Sequence, residues 1–166
     1  MKNSVARKIA VVGMTAAVYF VLTVALAGIS YGDIQFRVSE VLNLLAFINP
    51  VFAPGIILGC LLANMFSPFA VVDMIVGTVH SAIVMFFVIR TKQLWLACLW
   101  PVILCVIIAA EVMVLYVGPP YTPEKFITVT ATVLFGEAVV MFCAGYPLFR
   151  FGILKNERLV SFLKGI

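Results

Sequence analysis

The chain has 166 residues, of which 64% are hydrophobic and only 11% are charged. Soluble domains are about 45–50% apolar and about 25% charged, so this composition excludes a soluble globular protein. The 11 basic residues exceed the 7 acidic residues by a net charge of +4, and in a membrane protein their placement predicts the orientation.

Apolar blocks follow one another along the chain, and each is long enough to form or contribute a membrane-spanning helix, which needs about 20 apolar residues. The first block exceeds the roughly 7–15 residues of a signal-peptide core, so we interpret it as a retained first span. The last two blocks each contain a single acidic residue, Glu111 and Glu137. The five blocks are residues 9–27, 41–72, 74–89, 94–117 and 126–149.

The second block predicts two short spans rather than one. As a single helix its 32 uncharged residues would extend about 48 Å, well beyond a hydrocarbon core of about 30 Å. Pro50, Pro54 and Gly55 favour a break within the block. We therefore predict spans at residues 38–48 and 55–66, joined by the segment NPVFAPG.

Six spans place both termini on one side of the membrane, and the basic residues favour this arrangement. Nine of them are then cytoplasmic and only Arg37 and Lys125 are external, as the positive-inside rule requires. The sequence therefore predicts an all-α polytopic protein of the cell membrane, with six transmembrane helices in one bundle, cytoplasmic termini and a single domain over residues 1–166. The nine predicted cytoplasmic residues are Lys2, Arg7, Lys8, Arg90, Lys92, Arg150, Lys155, Arg158 and Lys164.

The C-terminal segment RFGILKNERLVSFLKGI has two interpretations. It forms an amphipathic interfacial helix that turns its apolar residues towards lipid or a partner, or it is a basic tail that only sets the orientation. The apolar residues of the helix would be Leu159, Val160, Phe162 and Leu163.

The sequence offers few residues for catalysis or redox chemistry. The four cysteines lie in apolar runs without CxxC spacing, so we interpret them as small buried hydrophobic residues. No phosphate loop, HExxH motif or GxSxG motif is present. We expect a protein that is not an enzyme and carries no cofactor, with a small membrane-embedded transferase as the remaining enzymatic alternative. The cysteines are Cys60, Cys98, Cys105 and Cys143.

Ionisable residues are costly inside a membrane, so those within or beside the predicted spans are functional candidates. On the six-span model they all lie in the outer half or the centre of the bundle. This placement predicts an acidic cavity that opens outwards and favours a cation. The residues are Asp33 and Arg37 in the first outer loop, Glu40 in span two, Asp73 in span four, Glu111 in span five and Glu137 in span six.

Helical spacing groups further residues with these charges. Arg37, Glu40, Asn43 and Phe47 follow one another at steps of three, three and four, and a second face carries Asp73, Gly77 and His80. Each candidate also has a structural alternative: an Arg37–Glu40 ion pair, an Asp73 helix cap, a His80 that only packs, or a neutral hydrogen-bonded Glu137. Asn64 pairs either with a ligand or with a helix backbone.

The first span carries a stripe of small residues that begins at its predicted cytoplasmic end. Small residues at steps of three and four let helices approach closely in lipid. The stripe therefore packs either against a partner helix or within this bundle. Its members are Ala6, Ala10, Gly13 and Ala17.

Residues 31–78 closely resemble the QueT queuosine-precursor transporter family. The resemblance is carried by YGDIQFRVSEVLNLLAF, NPVFAPGIILGCLLANMFSP and VVDMIVGT. It implies a six-helix substrate-binding (S) component of an energy-coupling factor (ECF) transporter in a prokaryotic cytoplasmic membrane. The implied partners are a membrane coupling protein, two ATPase subunits and the lipid bilayer, with no nucleic acid. The family's AxxxA coupling motif maps onto Ala6–Ala10 or Gly13–Ala17.

The implied substrate is a queuosine precursor such as 7-aminomethyl-7-deazaguanine. One carboxylate can accept the ring N–H and the exocyclic amine together, while a second suits the aminomethyl cation. We assign Glu137 to the base edge and Glu40 or Asp73 to the cation. The carbonyl edge needs a donor and the ring needs aromatic walls, and the candidates for these roles are Asn64, Gln35, Arg37, Phe36 and Phe47.

The first outer loop, with Gly28, Tyr31 and Gly32, is predicted to order over the ligand as a lid.

The alternative functions are a self-sufficient small transporter for a cationic or nucleobase-like solute and, less favoured, a membrane-embedded enzyme.

Overall fold

The computed structural model of the protein describes residues 2–31 and 34–166. Over these residues the chain is built from helices and contains no β-strand. The helices are α1 (Lys2–Ala25), α2 (Ala27–Ser30), α3 (Val38–Ile48), α4 (Pro50–Asn64), α5 (Ala70–Val88), α6 (Leu94–Leu115), α7 (Pro123–Ile153) and α8 (Glu157–Lys164).

Four of these helices, α1, α5, α6 and α7, are long and apolar enough to cross a membrane. The protein is therefore an all-helical, multi-pass membrane protein. Helices α3 and α4 are apolar but shorter, about 16 Å and 22 Å at 1.5 Å per residue. The count of six complete spans stays a prediction, because neither short helix covers a hydrocarbon core of about 30 Å alone.

The predicted break in the second apolar block is confirmed at Asn49. This residue is extended, with φ −148° and ψ 120°, and its side-chain oxygen accepts a hydrogen bond from the Val51 amide at 3.1 Å. The predicted start of the following helix at Gly55 was wrong, because α4 already begins at Pro50. Proline fits the first turn of a helix, because a backbone N–H at that position has no hydrogen-bond partner within the helix and its loss costs nothing.

Helices α1 and α4 run parallel and pack with their backbones in close approach. A Cβ on Gly55 would lie 2.6 Å from the Val12 carbonyl oxygen, and one on Gly59 would lie 2.8 Å from that of Ala16. Glycine is required at both positions because any side chain would push the two helices apart.

The two ends of the chain lie at the same end of the bundle. Arg7 donates a hydrogen bond to the Gly165 carbonyl at 3.3 Å, and Asn49, at the α3–α4 break, donates to the Leu163 carbonyl at 2.9 Å. This arrangement agrees with an even number of passes through the bundle. The cytoplasmic location of that end remains a prediction from the basic residues.

The other boundaries differ from the sequence prediction at a few points. Helix α5 begins at Ala70 rather than Met74. Helix α6 is interrupted at Cys105, four residues after an internal proline, and Cys143 is exposed while the other three cysteines are buried. The C-terminal helix is present as α8, with Phe162 exposed and Leu163 packed against the core.

Helix packing predicts a clear difference between two glycine substitutions. Gly59→Ala should lower the free energy of unfolding by about 1–3 kcal/mol, because its Cβ would meet Tyr19 Cβ at 2.7 Å and force the helices apart. Gly13→Ala, on the open side of α1 with nothing within 4 Å, should be neutral or stabilising by about 1 kcal/mol. Thermal unfolding in detergent measures both, and equal effects would contradict the packing.

Candidate functional site

The segment before α3 enters the helical bundle and defines the centre of the candidate site. The Phe36 amide donates to the Ile29 carbonyl at 2.8 Å, which anchors the segment to α2. The Gln35 carbonyl oxygen lies so close to Gly136 of α7 that a Cβ there would collide with it. Glycine next to Glu137 therefore allows the segment to carry Gln35 and Arg37 into the bundle.

Two small adjoining chambers lie beside this segment, each with a volume of about 20 Å³. The inner chamber is the one lined by His80, which lies two turns further along α5 than Asp73 and nearer the bundle centre. The outer chamber is the one lined by Asp73. Gln35, Arg37 and Ile108 line both. The inner chamber is completed by Glu40, His80, Cys105, Val133 and Glu137, and the outer chamber by Tyr31, Asn64, Asp73, Gly77, Glu111 and Val112.

The structure thus brings together most of the polar residues singled out in the sequence, which come from the segment before α3 and from α3, α4, α5, α6 and α7. Three predicted residues lie elsewhere. Phe36 and Phe47 pack against the hydrophobic core, and Asn43 supports Glu40 from the neighbouring turn. Asp33 and Gly32 lie outside the described residues.

Glu40 is held in place by neighbours within the protein. The Tyr19 hydroxyl donates to its Oε1 at 2.5 Å, and the Asn43 amide donates to its Oε2. Tyr19 is fully buried in α1. It was not among the site residues predicted from the sequence. A hydroxyl-bearing aromatic residue in the middle of a span is the signal that could have identified it, because a buried phenol needs a partner.

Several other polar atoms facing the chambers have no partner in the described part of the chain. They include Glu137 Oε1, His80 Nε2, Asn64 Oδ1 and Arg37 Nε, and the side chains of Glu137, His80 and Asn64 are 4%, 4% and 1% exposed. A buried polar atom without a partner costs about 1–3 kcal/mol. The chambers therefore present donors and acceptors suited to a polar ligand.

The outer chamber contains a second pair of acidic residues. Asp73 on α5 and Glu111 on α6 both line this chamber. The alternative of Asp73 as a helix cap was wrong, because Phe69 occupies the cap position and Asp73 lies in the first turn of α5. Burial raises the pKa of the Tyr31 phenol, and its neutral hydroxyl donates to the Ala63 carbonyl at 2.7 Å.

The small-residue stripe of α1 lies on the outside of the bundle. Ala6, Ala10, Gly13 and Ala17 are all exposed, and a Cβ on Gly13 would meet nothing within 4 Å. The opposite face of α1, with Thr15, Ala16 and Tyr19, packs into the bundle instead. Packing of the stripe within this bundle is therefore wrong, and a face open to lipid or a partner remains.

Comparisons with known proteins agree on one family. A family model described as the QueT transporter matches residues 9–152. The chain is also 42% identical over 85 residues to the queuosine precursor transporter QueT of Lactococcus lactis subsp. cremoris (strain MG1363), a match that covers 50% of each protein. The chain thus spans about half the length of the curated relative that it matches. No solved structure matches the chain.

The Glu40 network predicts that the Tyr19 hydroxyl stabilises the fold. Tyr19→Phe removes a hydrogen bond to a buried carboxylate and should lower the free energy of unfolding by about 1.5–3 kcal/mol. Tyr121→Phe, at a side chain that is 57% exposed, is the matched control and should have little effect. Thermal unfolding of the two variants checks this, and equal transition temperatures would mean that the bond contributes nothing.

Proposed function

Because the chain belongs to the QueT transporter family, we propose that it is the substrate-capture (S) component of an ECF-type uptake system. In this proposal it binds a queuosine precursor such as 7-aminomethyl-7-deazaguanine, while a membrane coupling protein and two ATPase subunits supply the energy. The observation that supports it best is the pair of chambers, in which Glu137, His80 and Asn64 each keep a buried atom without a partner in the described part of the chain.

The base-recognition step is assigned to Glu137 in the inner chamber. Its side chain is 4% exposed and its Oε1 has no partner. A carboxylate can accept the ring N–H and the exocyclic amine of a 7-deazaguanine at once, which gives geometric specificity. Guanine offers the same edge, so discrimination must come from elsewhere on the ring.

A donor for the carbonyl edge is available from the segment between the chambers. Arg37 and Gln35 line both chambers, and Arg37 Nε has no partner. Asn64 suits this role less well, because its amide group already donates to the Asp73 carbonyl at 2.9 Å. The aminomethyl cation is assigned to a second carboxylate, Glu40 or Asp73.

The exposed stripe of α1 supports the partner assignment. Ala6, Ala10, Gly13 and Ala17 leave a shallow surface on which another helix could lie close. The stripe begins at the end of the bundle that holds the chain termini, whereas Asp73, at the start of α5, marks the opposite end. Ligand binding and partner binding are therefore spatially separate in this proposal.

Substitution of Glu137 tests the binding half of the proposal. Glu137→Gln keeps the volume but loses the charge and one acceptor, so affinity for 7-aminomethyl-7-deazaguanine should fall by about tenfold to a few hundredfold, equivalent to about 1.5–3 kcal/mol. Equilibrium titration of the purified chain measures the loss. Glu157→Gln, at an exposed position on α8, should bind normally. Unchanged affinity in a folded Glu137→Gln protein would remove Glu137 from the site.

Substitution of the stripe tests the transport half. Ala10→Trp should leave ligand affinity intact in the isolated chain but block ATP-driven uptake and co-purification with the coupling protein, because a bulky side chain prevents close helix approach. Ala10→Ser, which stays small, is the control and should transport normally.

Reconstituted vesicles separate the three functional classes. Uptake that requires the coupling protein, the ATPases and ATP supports the S-component proposal. Flux through the chain alone would indicate a self-sufficient transporter, and release of a modified product would indicate an enzyme. Normal uptake by Ala10→Trp would remove the stripe from energy coupling.

A further inference from the structure

The side chain of Asn64 is held in one orientation at the end of α4. It is 1% exposed, and its amide nitrogen donates to the Asp73 backbone carbonyl at 2.9 Å, with the Cys60 sulfur as a second contact at 3.6 Å. A carbonyl oxygen accepts hydrogen bonds but cannot donate them. The nitrogen of the Asn64 amide, and not its oxygen, must therefore face Asp73.

Gly77 on α5 leaves the space that this orientation needs. A Cβ at position 77 would collide with the Asn64 amide nitrogen. The Ser67 hydroxyl also donates to the Asn64 backbone carbonyl at 2.8 Å, which secures the chain at the end of α4. The position of the Asn64 amide is therefore set by the protein before a ligand binds.

The oxygen of the same amide is available to a ligand. Asn64 lines the outer chamber, and its Oδ1 is buried and has no hydrogen-bond partner among the described residues. A buried acceptor without a partner destabilises the protein, so a donor that reaches it is bound favourably. The outer chamber, at about 20 Å³, has room for a water-sized group, such as the ammonium at the end of a ligand's arm.

We propose that Asn64 Oδ1 determines which substituent the ligand carries at its 7-position, because it accepts a hydrogen bond from an arm that ends in a donor and rejects an arm that ends in an acceptor. The inference rests on the proposed function and adds the residue that selects the aminomethyl ligand over its cyano analogue. An ammonium has three donors, so Asn64 accepts one of them beside the carboxylate that balances the charge. A nitrile nitrogen only accepts, so it would leave Oδ1 unpaired.

The arm is the part of the ligand that suits Asn64 best. Asn64 lines the outer chamber but not the inner one, which separates it from Glu137, to which the base edge is assigned. The pyrrole N–H of the ring is the other unassigned donor. Because the aminomethyl and cyano ligands share that N–H, a contact with it would not select between them.

Three ligands that differ only in the arm test the proposal. The purified chain is titrated with 7-aminomethyl-, 7-hydroxymethyl- and 7-cyano-7-deazaguanine. The hydroxymethyl arm is a neutral donor, so it separates hydrogen bonding from the attraction of a cation to acidic groups. We expect the aminomethyl ligand to bind most tightly, and the hydroxymethyl ligand to bind about tenfold more tightly than the cyano ligand.

Asn64→Ala removes the acceptor. The hydroxymethyl and cyano ligands should then bind equally well, and retained binding of the cyano ligand shows that the variant is folded. Asn156→Ala, at an exposed position before α8, is the matched control and should keep the preference of the natural chain.

Gly77→Ala is a second variant, which keeps Asn64 but displaces its side chain. If Gly77 acts as a positioning residue for the amide, this variant should lose the same preference for the hydroxymethyl ligand. Gly13→Ala, whose Cβ meets nothing within 4 Å, is its control and should keep the preference.

Two results would overturn the proposal alone. Equal affinity of the natural chain for the hydroxymethyl and cyano ligands would show that no fixed acceptor reads the arm, and tight binding of both would leave the proposed function standing. An equal loss of affinity for all three ligands in Asn64→Ala would show that the amide contacts the shared ring or only supports the fold. If none of the ligands binds the natural chain, the proposed function fails together with this inference.

Discussion

The contact between the Gln35 carbonyl and Gly136 is the interaction on which the site depends. The absence of a side chain at Gly136 lets an irregular segment lie inside a helical bundle, where backbone groups must find partners within the protein. Any larger residue at position 136 would push the segment outwards and withdraw Arg37 from between the acidic groups. One glycine thus sets the distance between the segment and the adjacent Glu137.

The polar groups around this segment fall into two classes. Glu40 is satisfied by Tyr19 and Asn43, and it stabilises the junction of α1 with α3. Within the described residues, Glu137, His80 and Asn64 each keep a buried atom without a partner, which costs about 1–3 kcal/mol per atom. In the proposed function, Glu40 therefore stabilises the bundle, whereas Glu137, His80 and Asn64 are available to a ligand.

The hydropathy pattern and the positions of proline and glycine predicted much of the fold, because the bilayer fixes helix length and proline limits helix continuity. They identified the break at Asn49 but not the helix start at Pro50, because a proline in a loop and a proline in a first helical turn look alike in sequence. The cost of burying charge likewise predicted that Arg37, Glu137 and the other acidic residues meet.

Other parts of the site could not be predicted from hydropathy and helical spacing. Spacing by steps of three and four assumes α-helical geometry, yet Val38–Leu42 is a tighter 3₁₀ turn, so Asn43 meets Glu40 while Phe47 turns to the core. Cys105 lines the inner chamber without any polarity that marks it in an apolar run.

The most direct test of the account is an equilibrium binding titration of the purified chain, without partner subunits, in detergent. We predict saturable binding of one 7-aminomethyl-7-deazaguanine per chain and clearly weaker binding of guanine, which lacks the cationic arm. Absence of binding by a folded chain, or equal affinity for the two bases, would contradict the proposal that the chambers bind a cationic 7-deazaguanine.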